Sequence, residues 1–258
     1  MSRVRPVSHE DRLTLVEHLD ELRSRIVVCL AALGVALALC FWQSDLLLEI
    51  ASNPLPDDHR RLLTFGITEP FTTTVTVAVY GALILSLPVL LYQLYAFVLP
   101  AFSHVERRVV MPILMLAPLL FLAGVAFSYF VVMPPATEFL LGFNDTEFNV
   151  QVRARDYYSF FSTTMLAGGL IFQLPLAIIA LTRLGIVSID QLKANRRYAY
   201  LGIALLAAAL PGVDPISMLI EMVPLLVLYE LSILLARFFG RPKVAGGLGK
   251  PNAGAVTD

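Results

Sequence analysis

Apolar residues along this chain fall into long uninterrupted runs, at about 26–43, 71–94, 109–133, 159–182, 199–210 and 216–235. Most are roughly twenty residues long, the length of helix needed to cross a hydrocarbon core of ~30 Å. A membrane β-barrel would instead show ~10-residue segments with alternating polarity. Continuous runs in lipid must form helices, because only a helix satisfies its own backbone polar groups. The pattern therefore predicts an all-α polytopic membrane protein with six transmembrane helices.

Ahead of the first run, Leu13, Val16, Leu19, Leu22 and Ile26 recur every three or four residues. That spacing predicts an amphipathic helix over 9–25 lying at the membrane interface, with Glu17, Asp20, Glu21, Arg23 and Arg25 on its polar side. Ser8 and Asp11 fit a capping box at its start. The bland reading of these charges is a solvated face with ion pairs at i+4 spacing. Trp42 closes the first run as an interfacial anchor.

The last two runs are separated only by Pro211-Gly212-Val213-Asp214-Pro215, which forces a tight reversal. Fourteen helical residues reach only ~21 Å, so short fifth and sixth helices are expected. Prolines 88, 112, 118, 175, 211, 215 and 224 lie in or at the ends of runs. Each interior one removes a backbone hydrogen bond and bends its helix, which suggests a curved, cupped bundle. Residues 1–240 then form one six-helix domain, and the Gly/Pro-rich segment 241–258 is expected to be a disordered cytoplasmic tail.

Composition agrees: 57% of the 258 residues are hydrophobic and 15% charged, against about a quarter charged in soluble domains. Segments 1–25, 95–108, 183–198 and 236–258 hold 15 of the 19 Lys and Arg residues, and the two long loops 44–70 and 134–158 hold the other 4. The positive-inside rule then puts both termini in the cytoplasm. Cys29 and Cys40 share the first run and read as packing residues, with no disulfide framework or metal spacing. The first run lacks a small-residue cleavage site and is expected to remain a span.

No nucleophile elbow, HExxH or Walker A motif is present, and the four histidines (9, 18, 59 and 104) lie outside the runs. No enzyme, cofactor, metal or nucleic-acid partner is expected. Candidate chemistry sits instead in charged and polar residues near or within the spans. Glu106 follows Phe97 and Phe102 at a membrane exit, an arrangement suited to a cationic group. Gln173 lies inside the fourth run, where its amide either bonds between helices or serves a partner. Glu230 either pairs with a basic residue or is protonated, and Glu221, near the outer end of the sixth run, is expected to reach water. Two function classes fit: a receptor for a cationic segment, or a secondary transporter of small solutes using Glu230 and Gln173. The transporter would show inverted repeats, and the chain shows no convincing one.

HLDELRSR (18–25), EPF (69–71), PVLLYQLYAFVLPAF with HVERR (88–108), SYFVVMP (128–134) and PGVDP (211–215) occur in an order that resembles the TatC family of the twin-arginine translocase, over about residues 13–240. The resemblance implies the receptor core of a system in the cytoplasmic (inner) membrane that exports folded proteins on the proton-motive force. It implies a signal-peptide site at Glu21, Glu106, Phe97 and Arg107. It also implies single-span TatA and TatB partners, contact with membrane lipid, and homo-oligomeric assembly in the complex. Asp214 matches an acidic residue of the outer hairpin and, with Gln173 and Glu230, forms the set expected to dock partners. Several members of the family carry a glutamate where this chain has Gln173, and an amide cannot carry a proton. Gln173 is expected to line an outer-leaflet docking face near the fourth and fifth helices.

Overall fold

The computed structural model of the protein describes residues 9–98, 111, 115–144, 147, 150–183, 186–209 and 215–239. Among them the chain is helical apart from turns and one isolated bridge between Leu63 and Arg153. The helices are α1 (His9–Trp42), α2 (Ser44–Ser52), α3 (Glu69–Val98), α4 (Ala117–Phe127), α5 (Met133–Gly142), α6 (Ala154–Ile171), α7 (Leu174–Arg183), α8 (Ile189–Ala194), α9 (Arg196–Ala209) and α10 (Pro215–Phe239). Five stretches are long and apolar enough to cross a membrane: His18–Trp42, Glu69–Phe97, Ala117–Gly142, Ala154–Arg183 and Met218–Arg237. Their outward faces are apolar, with Leu30, Val35, Leu39, Phe130, Val223 and Val227 all exposed.

Several boundaries differ from the sequence pattern, each for a local reason. The amphipathic segment and the first run form one helix of 34 residues, because no Gly or Pro lies between Leu22 and Ala31 to break it. The third span does not stop at Pro134 but continues to Gly142. A π-helical turn at Ser128–Val132 precedes the two prolines, and the Met133 N–H reaches back to the Ser128 carbonyl. The added residue shifts the register so that Pro134 and Pro135 enter at the start of α5, where a missing N–H is tolerated. The fourth span starts at Ala154 and turns at Phe172–Gln173, two residues before Pro175.

The fifth helix is short, as the sequence implies: α9 has 14 residues, ~21 Å at 1.5 Å per residue. The expectation of a short sixth helix is corrected. α10 has 25 described residues, about 37 Å long, because the apolar pattern continues through the last turn.

Small residues set the closest approaches. α1 and α3 run antiparallel, with Ala36 and Cys40 against Ala78 and Ala82. Where α4 crosses α6, a Cβ on Gly124 would lie 2.5 Å from the Gly168 carbonyl oxygen and 2.9 Å from the Gly169 Cα. A methyl on Gly169 would strike the Phe121 ring at 2.4 Å. Backbones therefore meet there directly, as small residues allow between membrane helices.

α2 follows α1 after the single residue Gln43 and ends with carbonyls that its own helix cannot pair. Tyrosine hydroxyls cap two of them: Tyr129 donates to Ile50 O at 3.1 Å and Tyr157 to Ala51 O at 2.7 Å, while Tyr158 adds a longer bond of 3.5 Å to Leu48 O. Thr137 Oγ1 donates to Pro54 O at 3.1 Å. The core beneath contains Ala51, Leu55, Met133, Tyr157, Phe161 and Met165. A second core, of Ile203, Ala207, Leu225, Tyr229 and Ile233, joins α9 to α10, with Leu174 and Ile178 of α7 and Leu192 of α8 packed against it.

Gly124→Ala should destabilise the chain by about 1–3 kcal/mol, because its methyl meets backbone that cannot rotate away. Tyr157→Phe should cost about 1–3 kcal/mol by leaving the Ala51 carbonyl without its donor. Thermal unfolding of the detergent-solubilised chain checks both, and unchanged midpoints would refute them.

Candidate functional site

Two turns of α1 place His18, Glu21 and Arg25 on one face, and one turn of α3 places Gln93 and Phe97 on one face. Antiparallel pairing brings the two faces together at one end of the bundle. Arg25 Nη2 lies 2.6 Å and Nε 3.0 Å from Glu21 Oε1. Arg25 Nη1 donates to Gln93 Oε1 at 2.9 Å. The His18 ring stacks on Phe97, with centroids 4.4 Å apart and planes 14° from parallel. His18 Nδ1 stands 3.8 Å from Glu21 Oε2.

Glu21 and Phe97, far apart in sequence, thus share one site. The Glu21 side chain is 34% exposed. Arg25 holds Oε1, and among the described residues Oε2 faces His18 alone. A carboxylate can accept a bidentate guanidinium, so this one has room for a second cationic partner beside Arg25. The ion pair itself is the i+4 pairing the bland reading anticipates. His18, Arg25 and Gln93 complete the site and were not singled out from sequence. The available signal was the i, i+3, i+7 spacing of His18, Glu21 and Arg25, together with a lone Gln93 in an apolar run.

The other expected site residues fall elsewhere. Glu106, Arg107 and Asp214 lie outside the described residues. Gln173 is buried at the turn between α6 and α7. Its Nε2 donates to the Ala117 carbonyl at 3.1 Å, and its Oε1 accepts from the Tyr95 hydroxyl at 3.5 Å. Tyr95 lies half a turn from Phe97, so Gln173 sits in the half of the bundle nearer Glu21, and its contacts are those of an interhelical bond rather than of an outer-leaflet face. Glu230 pairs with Arg196 at 2.7 Å and accepts from the Tyr200 hydroxyl, which links α10 to the start of α9. Glu221 does not reach water. It is 8% exposed and faces a small cavity beside Ser128, Gly168 and Phe172.

At the opposite end Glu69 begins α3 and is 5% exposed. Arg153 Nε lies 2.7 Å from its Oε1, and Oε2 accepts from Arg153 Nη2 and from the N–H groups of Phe65 and Gly66. The hydrogen bond to the Glu69 carboxylate raises the Arg153 pKa above its ordinary value. The Leu63–Arg153 bridge sets this partner in place, with Leu63 N donating to Val152 O and Ala154 N to Leu63 O. Sequence reasoning missed Arg153. The signal was an acid and a base at the starts of two spans at the same end of the bundle.

Residues 17–224 match the family model described as Sec-independent protein translocase protein (TatC). The chain is 35% identical over 237 residues to the protein of that name from Desulforapulum autotrophicum, covering 91% of this chain and 88% of the relative. It is 34% identical over 238 residues to the Escherichia coli protein, covering 90% and 92%. It is 36% identical over 233 residues to a chloroplastic relative from Arabidopsis thaliana, covering 90% and 68%. A crystal structure of the twin-arginine translocase receptor TatC superposes with a TM-score of 0.74 at 30% identity, covering 87% of this chain and all of that one.

Arg25→Gln should barely move the thermal midpoint, because its pair is partly exposed. Arg153→Gln should lower the midpoint clearly more, because it strands a buried carboxylate. Gln173→Leu should cost about 0.6–2 kcal/mol through the lost amide bond to α4. Equal midpoints for the two arginine variants, or a neutral Gln173→Leu, would contradict these assignments.

Proposed function

The chain belongs to the Sec-independent protein translocase (TatC) family, and from that premise we propose that it is the receptor that binds twin-arginine signal peptides of folded cargo at the end of the bundle carrying Glu21 and Phe97. It is a multi-pass protein of the cytoplasmic (inner) membrane and a translocase component, not an enzyme. In this reading six spans cross the membrane in a cupped bundle, and both termini and the Glu21 end face the cytoplasm.

The observation that carries the reading is a partly exposed carboxylate beside an aromatic ring at a membrane exit. An incoming guanidinium bonds Glu21 Oε2 while Arg25 keeps Oε1, so Arg25 holds the carboxylate charged and oriented before the peptide arrives. The second arginine stacks on Phe97 in place of His18, which lies parallel to the ring as a planar guanidinium would. Glu106 supplies a second carboxylate and Arg107 flanks it. Partial desolvation at the interface strengthens each of these contacts relative to bulk water. Lysine offers a point charge with no planar fork, so the site favours arginine.

TatA and TatB, each with a single span, assemble against the bundle, in several copies of the receptor, and the proton-motive force drives transport. Gln173 and Glu230 support this indirectly, by holding α6 and α7 to α4 and α10 to α9. Asp214 is proposed as an outer contact for a partner.

Photocrosslinking from positions 21 and 106 to a signal peptide bearing Arg-Arg, beside a Lys-Lys control, tests the site. Crosslinks to Arg-Arg alone are expected. Glu21→Gln should weaken peptide binding roughly tenfold, the loss of one charge-assisted hydrogen bond, and Glu21→Asp should weaken it less. Wild-type binding by a variant with alanine at both 21 and 106 would overturn the assignment.

A further inference from the structure

At the end of the bundle opposite Glu21 a polar cavity of about 390 Å3 lies among Thr68, Glu69, Thr73, Arg153, Arg155 and Ser159. Its level is fixed by the helices: Glu69 is the first residue of one apolar span, and Arg153 immediately precedes another that starts at Ala154. The cavity therefore opens where hydrocarbon gives way to headgroups.

Its charge and donors are unbalanced. Both oxygens of Glu69 are already bonded, to Arg153 and to two backbone N–H groups. Two guanidinium groups and one carboxylate line the cavity, with Asp156 close enough to act on Arg153 from beside it, so cationic donors outnumber acceptors on the cavity wall. Arg153 uses Nε and Nη2 on Glu69, so part of its five-donor fork is still available. Arg155 is exposed and takes part in no ion pair among the described residues. Thr73 is 5% exposed, and its Oγ1 is buried with no hydrogen-bond partner. Burying a hydroxyl without a partner is costly, so a ligand acceptor reaching it would gain a bond at a position already desolvated.

The rim says which acceptor. Phe65, Ile67 and Phe71 surround Glu69 in sequence and are 73%, 102% and 66% exposed. A soluble anion gains nothing from three projecting apolar side chains, and an acidic peptide would leave them in the bilayer. A lipid fits both halves, with a phosphate for the guanidinium groups and Thr73, and glycerol and acyl carbons for the rim. We propose that this cavity is a binding site for the phosphodiester headgroup of an anionic phospholipid in the leaflet at the Glu69 end. Two guanidinium groups against one carboxylate on the cavity wall favour a net-anionic headgroup over a zwitterionic one.

Native mass spectrometry of the full chain in detergent, titrated with phosphatidylglycerol or phosphatidylcholine, tests this directly. The wild type should retain phosphatidylglycerol preferentially. Arg155→Gln should cut that retention roughly tenfold, the loss of one charged hydrogen bond. Thr73→Val, equal in shape, should cut it to a smaller degree. Equal retention by wild type and Arg155→Gln would overturn the site, and because Arg155 is exposed that variant keeps its fold. Displacement of the lipid by millimolar inorganic phosphate would show a free-oxyanion site instead. Displacement by a glutamate-rich peptide would show a protein-docking site, and either result overturns the lipid assignment. Signal-peptide crosslinking at position 21 is read separately, so failure of one proposal does not entail failure of the other.

Discussion

A carbonyl at a helix end or break that packs against other protein is cut off from water, so it must find a donor within the fold. Much of this structure follows from that constraint. Two of the last carbonyls of α2 receive hydroxyls from Tyr129 and Tyr157. Pro54 receives one from Thr137, Ala117 an amide from Gln173, and Leu192 a hydroxyl from Tyr229. Each bond crosses between elements distant in sequence. The groups that repair a break in one helix are therefore also those that fix its neighbours in place.

The same constraint explains why breaks are tolerated where they occur. Pro175 ends α6 beside Gln173, and the side chain at the break becomes the link to α4. The π-helical turn at Ser128–Val132 carries the third span past two prolines, and it stands where Gly168 leaves room for Ser128. A side chain on Gly168 would collide with the Ser128 hydroxyl at 1.8 Å. Close backbone contact at the glycines and wide spacing elsewhere leave an apolar cavity of about 580 Å3 bordered by Cys40, Val77, Leu85, Leu122, Tyr129 and Met165.

Three of the carboxylates that meet a guanidinium, Glu69, Glu230 and Glu21, are set apart by what else holds them. Glu69 is 5% exposed and accepts four hydrogen bonds, which makes it a structural clamp between the starts of two spans. Glu230 joins α10 to the start of α9 through Arg196 and Tyr200. Glu21 keeps one oxygen free of guanidinium among the described residues and stands near the Phe97 ring through His18. Coulomb attraction is common to all three. Only at Glu21 does geometry leave capacity for a ligand.

The apolar runs determined the class of this protein and the approximate place of its spans, because lipid admits only helices of sufficient length. They determined that the fifth apolar run is short, and the ordered motifs carried the family. Hydropathy could not see that Pro134 and Pro135 are passed, because a π turn changes register without changing composition. Nor could it see that the sixth helix continues to Phe239, or that Glu221 is buried. At the site, Glu21 and Phe97 were legible as residue types at membrane exits. Their meeting through His18, and the capture of Glu21 Oε1 by Arg25 and of Arg25 by Gln93, were decided by the antiparallel register of α1 and α3. A sequence specifies which side chains carry charge, but the desolvation and partners that divide a clamp from a receptive carboxylate exist only once the helices have packed.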